Sequence, residues 1–158
     1  MIGVMKFRSA NKGYSLVELM VALSLSGIVA GIFSLQLDTF YWNSQESRVT
    51  ETFRADVRRS QAEAQAQGGR IIIAAANSGN SYSIGLDLSP YDSTGIADST
   101  INTRDLPDGF VINVGSGLIF DPRGFVIDAT GALTTTSITL QRNGVTFLAT
   151  GINPAGVM

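Results

Sequence analysis

Cysteine and histidine are both absent from the 158 residues. Their absence excludes disulfides, thiolate nucleophiles, thiolate zinc sites, imidazole acid–base catalysis and Ser-His-Asp triads. It also leaves no cysteine usage from which to read a redox compartment. Charge is scarce: 15% of residues are charged against 44% hydrophobic. The chain is too apolar to be disordered and too poor in charge to coat nucleic acid. No phosphate-binding loop is present, because Gly115-Ser116-Gly117 is followed by neither a lysine nor a helix signal. No internal repeat occurs. What remains is enough chain for one domain with a modest core.

The scarce charge is unevenly placed. Both lysines, Lys6 and Lys12, lie with Arg8 in the first 13 residues, and every acid from Glu18 to Asp128 follows them. The formal net charge is -2, and without residues 1–13 eight basic groups face thirteen acidic ones, a net -5. The body is mildly acidic and its N-terminal tip basic.

Between these parts lies YSLVELMVALSLSGIVAGIFSLQL, Tyr14 to Leu37, 24 residues with the single charge Glu18. A helix rising ~1.5 Å per residue crosses a ~30 Å bilayer core with this length. The basic residues before it favour a cytoplasmic N-terminus, with the rest of the chain across the membrane. A secretory signal peptide is the plainer alternative. The apolar run is longer than a typical h-region, and no small-x-small site follows it.

Glu18 is the informative residue of the span, since a carboxylate in lipid is costly and needs a partner. The intact chain offers none within a turn. Cutting between Gly13 and Tyr14 creates one, a positive amino terminus four residues away. Between neighbouring subunits the same two groups could pair and set axial register. The competing reading leaves Glu18 solvated near the interface.

Lys12-Gly13-Tyr14-Ser15-Leu16-Val17-Glu18 resembles the type IV prepilin processing site: Gly, an aromatic, a small or polar residue, two aliphatics and Glu, leading into an apolar helix. The resemblance implies cleavage after Gly13 by a prepilin peptidase, N-methylation of Tyr14, and an assembly role for Glu18 in filament register. Tyr14 stands where the family usually has Phe. The leader is slightly long, and initiation at Met5 would shorten it. The span lacks the proline found in many major pilins. Gly27 and Gly31 form a G-x-x-x-G that permits close helix contact.

From 38 to 67 the helical pattern continues and becomes amphipathic. Val49, Phe53, Val57 and Ala64 fall near one face, and Glu46, Arg48, Glu51, Arg54, Asp56, Arg58, Arg59 and Glu63 are expected on the others. Gly68-Gly69 is the stop signal. Beyond it the signals are those of strands: 70–77 and 81–89 as a hairpin, then 109–115, 117–121, 124–128, 137–142 and 144–151. Residues 89–108 read as a long loop. Gly at many edges and alternating Val, Ile and Phe suggest antiparallel pairing in a meander of short strands. The expected class is α+β, a long N-terminal helix whose first half is transmembrane, packed on an antiparallel β-sheet. The divisions are a basic leader 1–13, a transmembrane helix 14–37, its amphipathic continuation 38–67 and a β-rich domain 70–158.

The body is similar to the GspH/FimT-type minor pseudopilins. FRADVRRSQAEAQAQGG matches their Arg- and Ala-rich helix end, Tyr82-Ser83-Ile84-Gly85 their aromatic-x-x-Gly, and Ile119-Phe120-Asp121-Pro122-Arg123-Gly124 their Phe-x-Pro-x-Gly element. Ile152 follows Gly151 where the family often has Gly-Arg. The resemblance implies a pilin-like fold and a structural subunit of a type II secretion pseudopilus, not an enzyme. The alternative is a minor pilin of a type IV pilus serving biogenesis or DNA uptake. The implied partners are other pilin or pseudopilin subunits, the prepilin peptidase and the bacterial inner membrane, crossed once with the C-terminal domain in the periplasm.

Two clusters carry competing readings. Arg54, Arg58, Arg59 and Arg70 suggest a DNA contact, or else a solvated helix face with local pairs such as Arg59–Glu63. The net -5 and the arginine-free tail GINPAGVM argue against phosphate binding, so nucleic acid is not an expected partner. Asp87, Asp92, Asp98, Asp105 and Asp108 supply oxygen ligands for calcium, but without EF-hand spacing they read as soluble turns. No metal and no cofactor is expected.

Overall fold

The structure, a computed structural model, describes residues 14–88, 91 and 95–156. Its one α-helix among these residues, α1, runs from Leu16 to Gln67. The expected leader 1–13, with Gly13, lies outside the described residues, as does Asp92. The chain divides into an N-terminal unit ending at Asn43 and a second unit from Ser44 to Met158.

Within the N-terminal unit α1 presents exposed apolar side chains on every side, and the most apolar 18-residue window has a mean hydropathy of 2.2 with none of it buried. A helix apolar all round needs lipid or protein around it. The hydroxyls of Ser24, Ser26 and Ser34 donate to the carbonyls of Met20, Ala22 and Ala30 at 2.8, 2.8 and 2.9 Å. Those polar groups are satisfied within the helix, as a lipid environment demands.

In the second unit α1 buries the stripe the spacing predicts: Val49, Phe53, Val57 and Ala64. It stops where Gly68 adopts φ +66° and donates its N–H to the Ala64 carbonyl at 3.0 Å. Strands β1 (Arg70–Ala76) and β2 (Ser81–Asp87) follow, joined by a tight turn. The expected long loop at 89–108 is corrected: it contains strand β3, Ser99–Asp105, paired with β2. Strands β4 (Phe110–Asn113), β5 (Leu118–Phe120), β6 (Val126–Ile127), β7 (Thr136–Arg142) and β8 (Val145–Ile152) complete the unit.

The strands form two antiparallel sheets where one meander was expected, ordered β3-β2-β1-β5-β6 and β4-β7-β8. The physical reason lies in β1. Its Ile71, Ile72 and Ile73 are all buried, so this strand needs partners on both edges and cover on both faces. It pairs with β2 and, across the chain, with β5. Ile71, Ile73, Tyr82, Ile84, Leu118 and Phe120 share the face that meets α1, where the rings of Phe53 and Tyr82 pack edge to face at 5.3 Å. On the other face Ile72, Ile119 and Ile127 make a smaller cluster with Ala74, Ala97 and Ala129. The β7–β8 hairpin turns at Asn143-Gly144, both with positive φ, as a two-residue primed turn requires. Arg142 of β7 pairs with Glu46 of α1 at 2.9 Å.

Candidate functional site

The site predicted from sequence begins at the amino-terminal end of α1. Tyr14 and Ser15 precede the helix, and the Ser15 carbonyl accepts its first bond, from Leu19 N–H at 3.2 Å. Tyr14 is exposed, and Glu18 lies exposed in the first helical turn. A carboxylate there is favoured by the helix dipole and stands one turn from Tyr14. Gly13 lies outside the described residues, so the geometry here concerns Tyr14 and Glu18 alone.

The second arrangement was not foreseen. Asp56, expected on a solvated face, is only 5% exposed. Its Oδ2 accepts from the Tyr82 hydroxyl at 2.7 Å and from Arg104 Nε at 3.0 Å, and its Oδ1 from Arg104 Nη2 at 3.4 Å. This clamp joins α1, β2 and β3. Burial, and then the adjacent Asp56 carboxylate, push the Tyr82 phenol well above its ordinary range. The hydrogen bonds that Arg104 donates to Asp56 likewise hold it more firmly protonated. With donors on both oxygens, the carboxylate is occupied by structure rather than available as a base. The missed signal was spacing: Asp56 lies three residues after Phe53, hence on the same buried stripe.

The two body motifs also have structural roles. In Tyr82-Ser83-Ile84-Gly85, a Cβ on Gly85 would collide with Ala97 and lie 2.8 Å from the Ser99 carbonyl oxygen, so glycine lets β3 approach. In the Phe120–Gly124 element, Asp121 Oδ1 accepts from the backbone N–H groups of Arg123 and Phe125 at 2.9 and 2.8 Å. The turn is then tied to α1: Gln61 Nε2 donates to the Gly124 carbonyl at 2.8 Å and Gln65 Nε2 to that of Arg123 at 2.9 Å.

The chain matches the family model described as the prokaryotic N-terminal methylation motif over residues 8–34. The type IV minor pilin FimU of Pseudomonas aeruginosa, solved in two crystal forms, is similar in structure. The TM-scores are 0.52 and 0.51 at 22% and 23% identity, over 68% of this chain and 81% and 85% of FimU. The fold of this chain is type IV pilin-like. No curated protein matches its sequence. The long apolar helix and the motif of this pilin-like chain fit an inner-membrane anchor.

The remaining sequence candidates of the pilin-like chain are dispersed. Arg54 pairs with Glu51 at 3.0 Å, Arg59 with Glu63 at 4.0 Å, and Arg70 stacks on the Tyr91 ring at 4.2 Å. Of the acids, Asp87 is buried at the end of β2, and Asp98 accepts from Leu88 N–H at 2.9 Å. Among the described residues no three His, Cys, Asp or Glu side chains group as metal ligands.

Proposed function

We propose that this chain is a structural minor subunit of a pilus-type filament, cut after Gly13 by a prepilin peptidase and N-methylated at Tyr14. The supporting observation is the methylation motif, which leads directly into a helix whose apolar side chains are uncovered. Such a helix is at home in lipid before assembly and against neighbouring helices after it. Glu18, one turn from the new terminus, answers the amino group of an adjacent subunit and so sets axial register. The body motifs favour a minor pseudopilin of a type II secretion pseudopilus. The fold shared with FimU favours the second reading, a minor pilin of a type IV pilus. In both, the globular unit lies in the periplasm and the protein catalyses nothing.

Intact mass of the membrane-extracted protein tests the processing. The expected species begins at Tyr14 and carries one methyl group. Since Lys6 and Lys12 are both lost with the leader, its terminus is also the sole amine left to label. A terminus at Met1 or Met5 in cells with an active prepilin peptidase would overturn the proposal. Deleting the gene separates the two filaments, by loss of a secreted substrate or loss of surface pili.

A further inference from the structure

We infer that Phe40-Tyr41-Trp42 is an interfacial collar that fixes how far α1 leaves the bilayer, seated at the headgroup level of the leaflet the helix crosses last. The inference rests on the membrane-anchored reading and adds a boundary and a lipid contact to it. The apolar run ends at Leu37 and polar side chains dominate from Asn43 onward, so the three aromatics stand at the change of solvent. Phe40 is 74% and Tyr41 55% exposed, although both are large hydrophobic side chains, and Trp42 is half-buried. The Tyr41 and Trp42 rings pack edge to face at 5.3 Å.

Angular spread and axial spacing both select lipid as the occupant. Consecutive helical residues point ~100° apart, so the three side chains spread over roughly 200° of the circumference. A helix packed on one side buries a stripe of roughly 100° or somewhat more, narrower than this spread, whereas a bilayer interface surrounds the helix. Tyr14 and Tyr41 stand roughly 40 Å apart along a helix rising ~1.5 Å per residue, more than the ~30 Å hydrocarbon core and within the ~40–45 Å that includes both headgroup regions. Aromatic side chains with a polar edge gather at those two levels. The chain thus carries one such residue at the first interface, Tyr14, and two at the second, Tyr41 and Trp42, with Phe40 beside them.

Trp42 is the only tryptophan, so its fluorescence reports on the collar directly. The full-length protein is reconstituted in vesicles of phosphatidylethanolamine and phosphatidylglycerol containing phosphatidylcholine brominated either near the headgroup or near the chain end. Headgroup-proximal bromine should quench Trp42 about two-fold more strongly than deep bromine, as expected for an interfacial ring. A Trp42→Phe, Ile28→Trp variant should reverse that order. If the protein floats with the vesicles but Trp42 is quenched by neither lipid, or equally or better by deep bromine, the collar is overturned and the anchor stands. If the protein fails to float, the anchor itself is overturned, and the collar with it.

Discussion

Replacing Asp56 with Ala tests whether the clamp between α1, β2 and β3 holds the globular unit together. The Tyr82 hydroxyl donates to Asp56 at 2.7 Å from a buried position, and losing a charged partner there costs about 1.5–3 kcal/mol. The Arg104 side chain is 45% exposed, so its share is discounted for solvent to about 1 kcal/mol or less. The expected loss is therefore about 2–4 kcal/mol, large against the ~5–15 kcal/mol of an ordinary domain. Tyr82→Phe keeps the ring against Phe53 and removes only the hydroxyl, for about 1 kcal/mol. Urea unfolding of the detergent-solubilised protein, followed by near-ultraviolet circular dichroism, measures both. The double variant should be less destabilised than the sum of the two by about 1 kcal/mol, because they share one bond. A loss below about 1 kcal/mol for Asp56→Ala, or strict additivity, would refute the clamp.

The same hydroxyl makes stability depend on pH. Its folded pKa is raised above the ordinary value of 10.0, so the stabilisation is complete below about pH 10 and is lost as pH rises further, because the unfolded phenol ionises first. Unfolding curves above pH 10 should fall more steeply for the wild type than for Tyr82→Phe; parallel curves would contradict the assignment. Phe53→Ala should cost about 3–5 kcal/mol in the same urea assay, since the ring is buried between α1 and the five-stranded sheet, and a value below about 1 kcal/mol would show it is not a core residue. Glu18→Ala should still insert in the membrane and be cut after Gly13, yet be poorly recovered with its partner subunits on co-purification; normal recovery would reduce Glu18 to a passive residue.

The sequence carried some of this architecture openly and concealed the rest for physical reasons. The long helix was legible because its apolar run and its 49–53–57–64 stripe are continuous, and the observed bounds, Leu16–Gln67, differ from expectation only at the first turn. Seven strands were legible from Val, Ile and Phe between glycines. Strand β3 was not: STINTRD has one apolar residue and all seven are exposed, so neither hydrophobic period nor burial marks it. Its strand character comes from pairing with β2, a tertiary effect. Asp56 departs from expectation because its helical position, three residues after Phe53, outweighs its charge once Tyr82 and Arg104 supply partners. Assignment to two sheets rather than one was hidden because β1 pairs with β5, far along the chain, and local alternation cannot encode that choice.

The edges of the five-stranded sheet bear on how such a subunit can be stored. At β6 the Val126 N–H is taken by the Pro154 carbonyl at 2.8 Å, Thr134 N–H reaches the Val126 carbonyl at 3.2 Å, and Ile127 bridges to Leu133. Proline has no N–H with which to continue the ladder, so the sheet ends there. At the opposite edge, β3 is polar and carries Arg104 and Asp105. Both edges resist the cross-strand zipping that turns exposed sheets into aggregates. In the proposed filament, copies crowded in one membrane plane would have no ready adhesive along this sheet, and polymerisation would be left to their apolar helices.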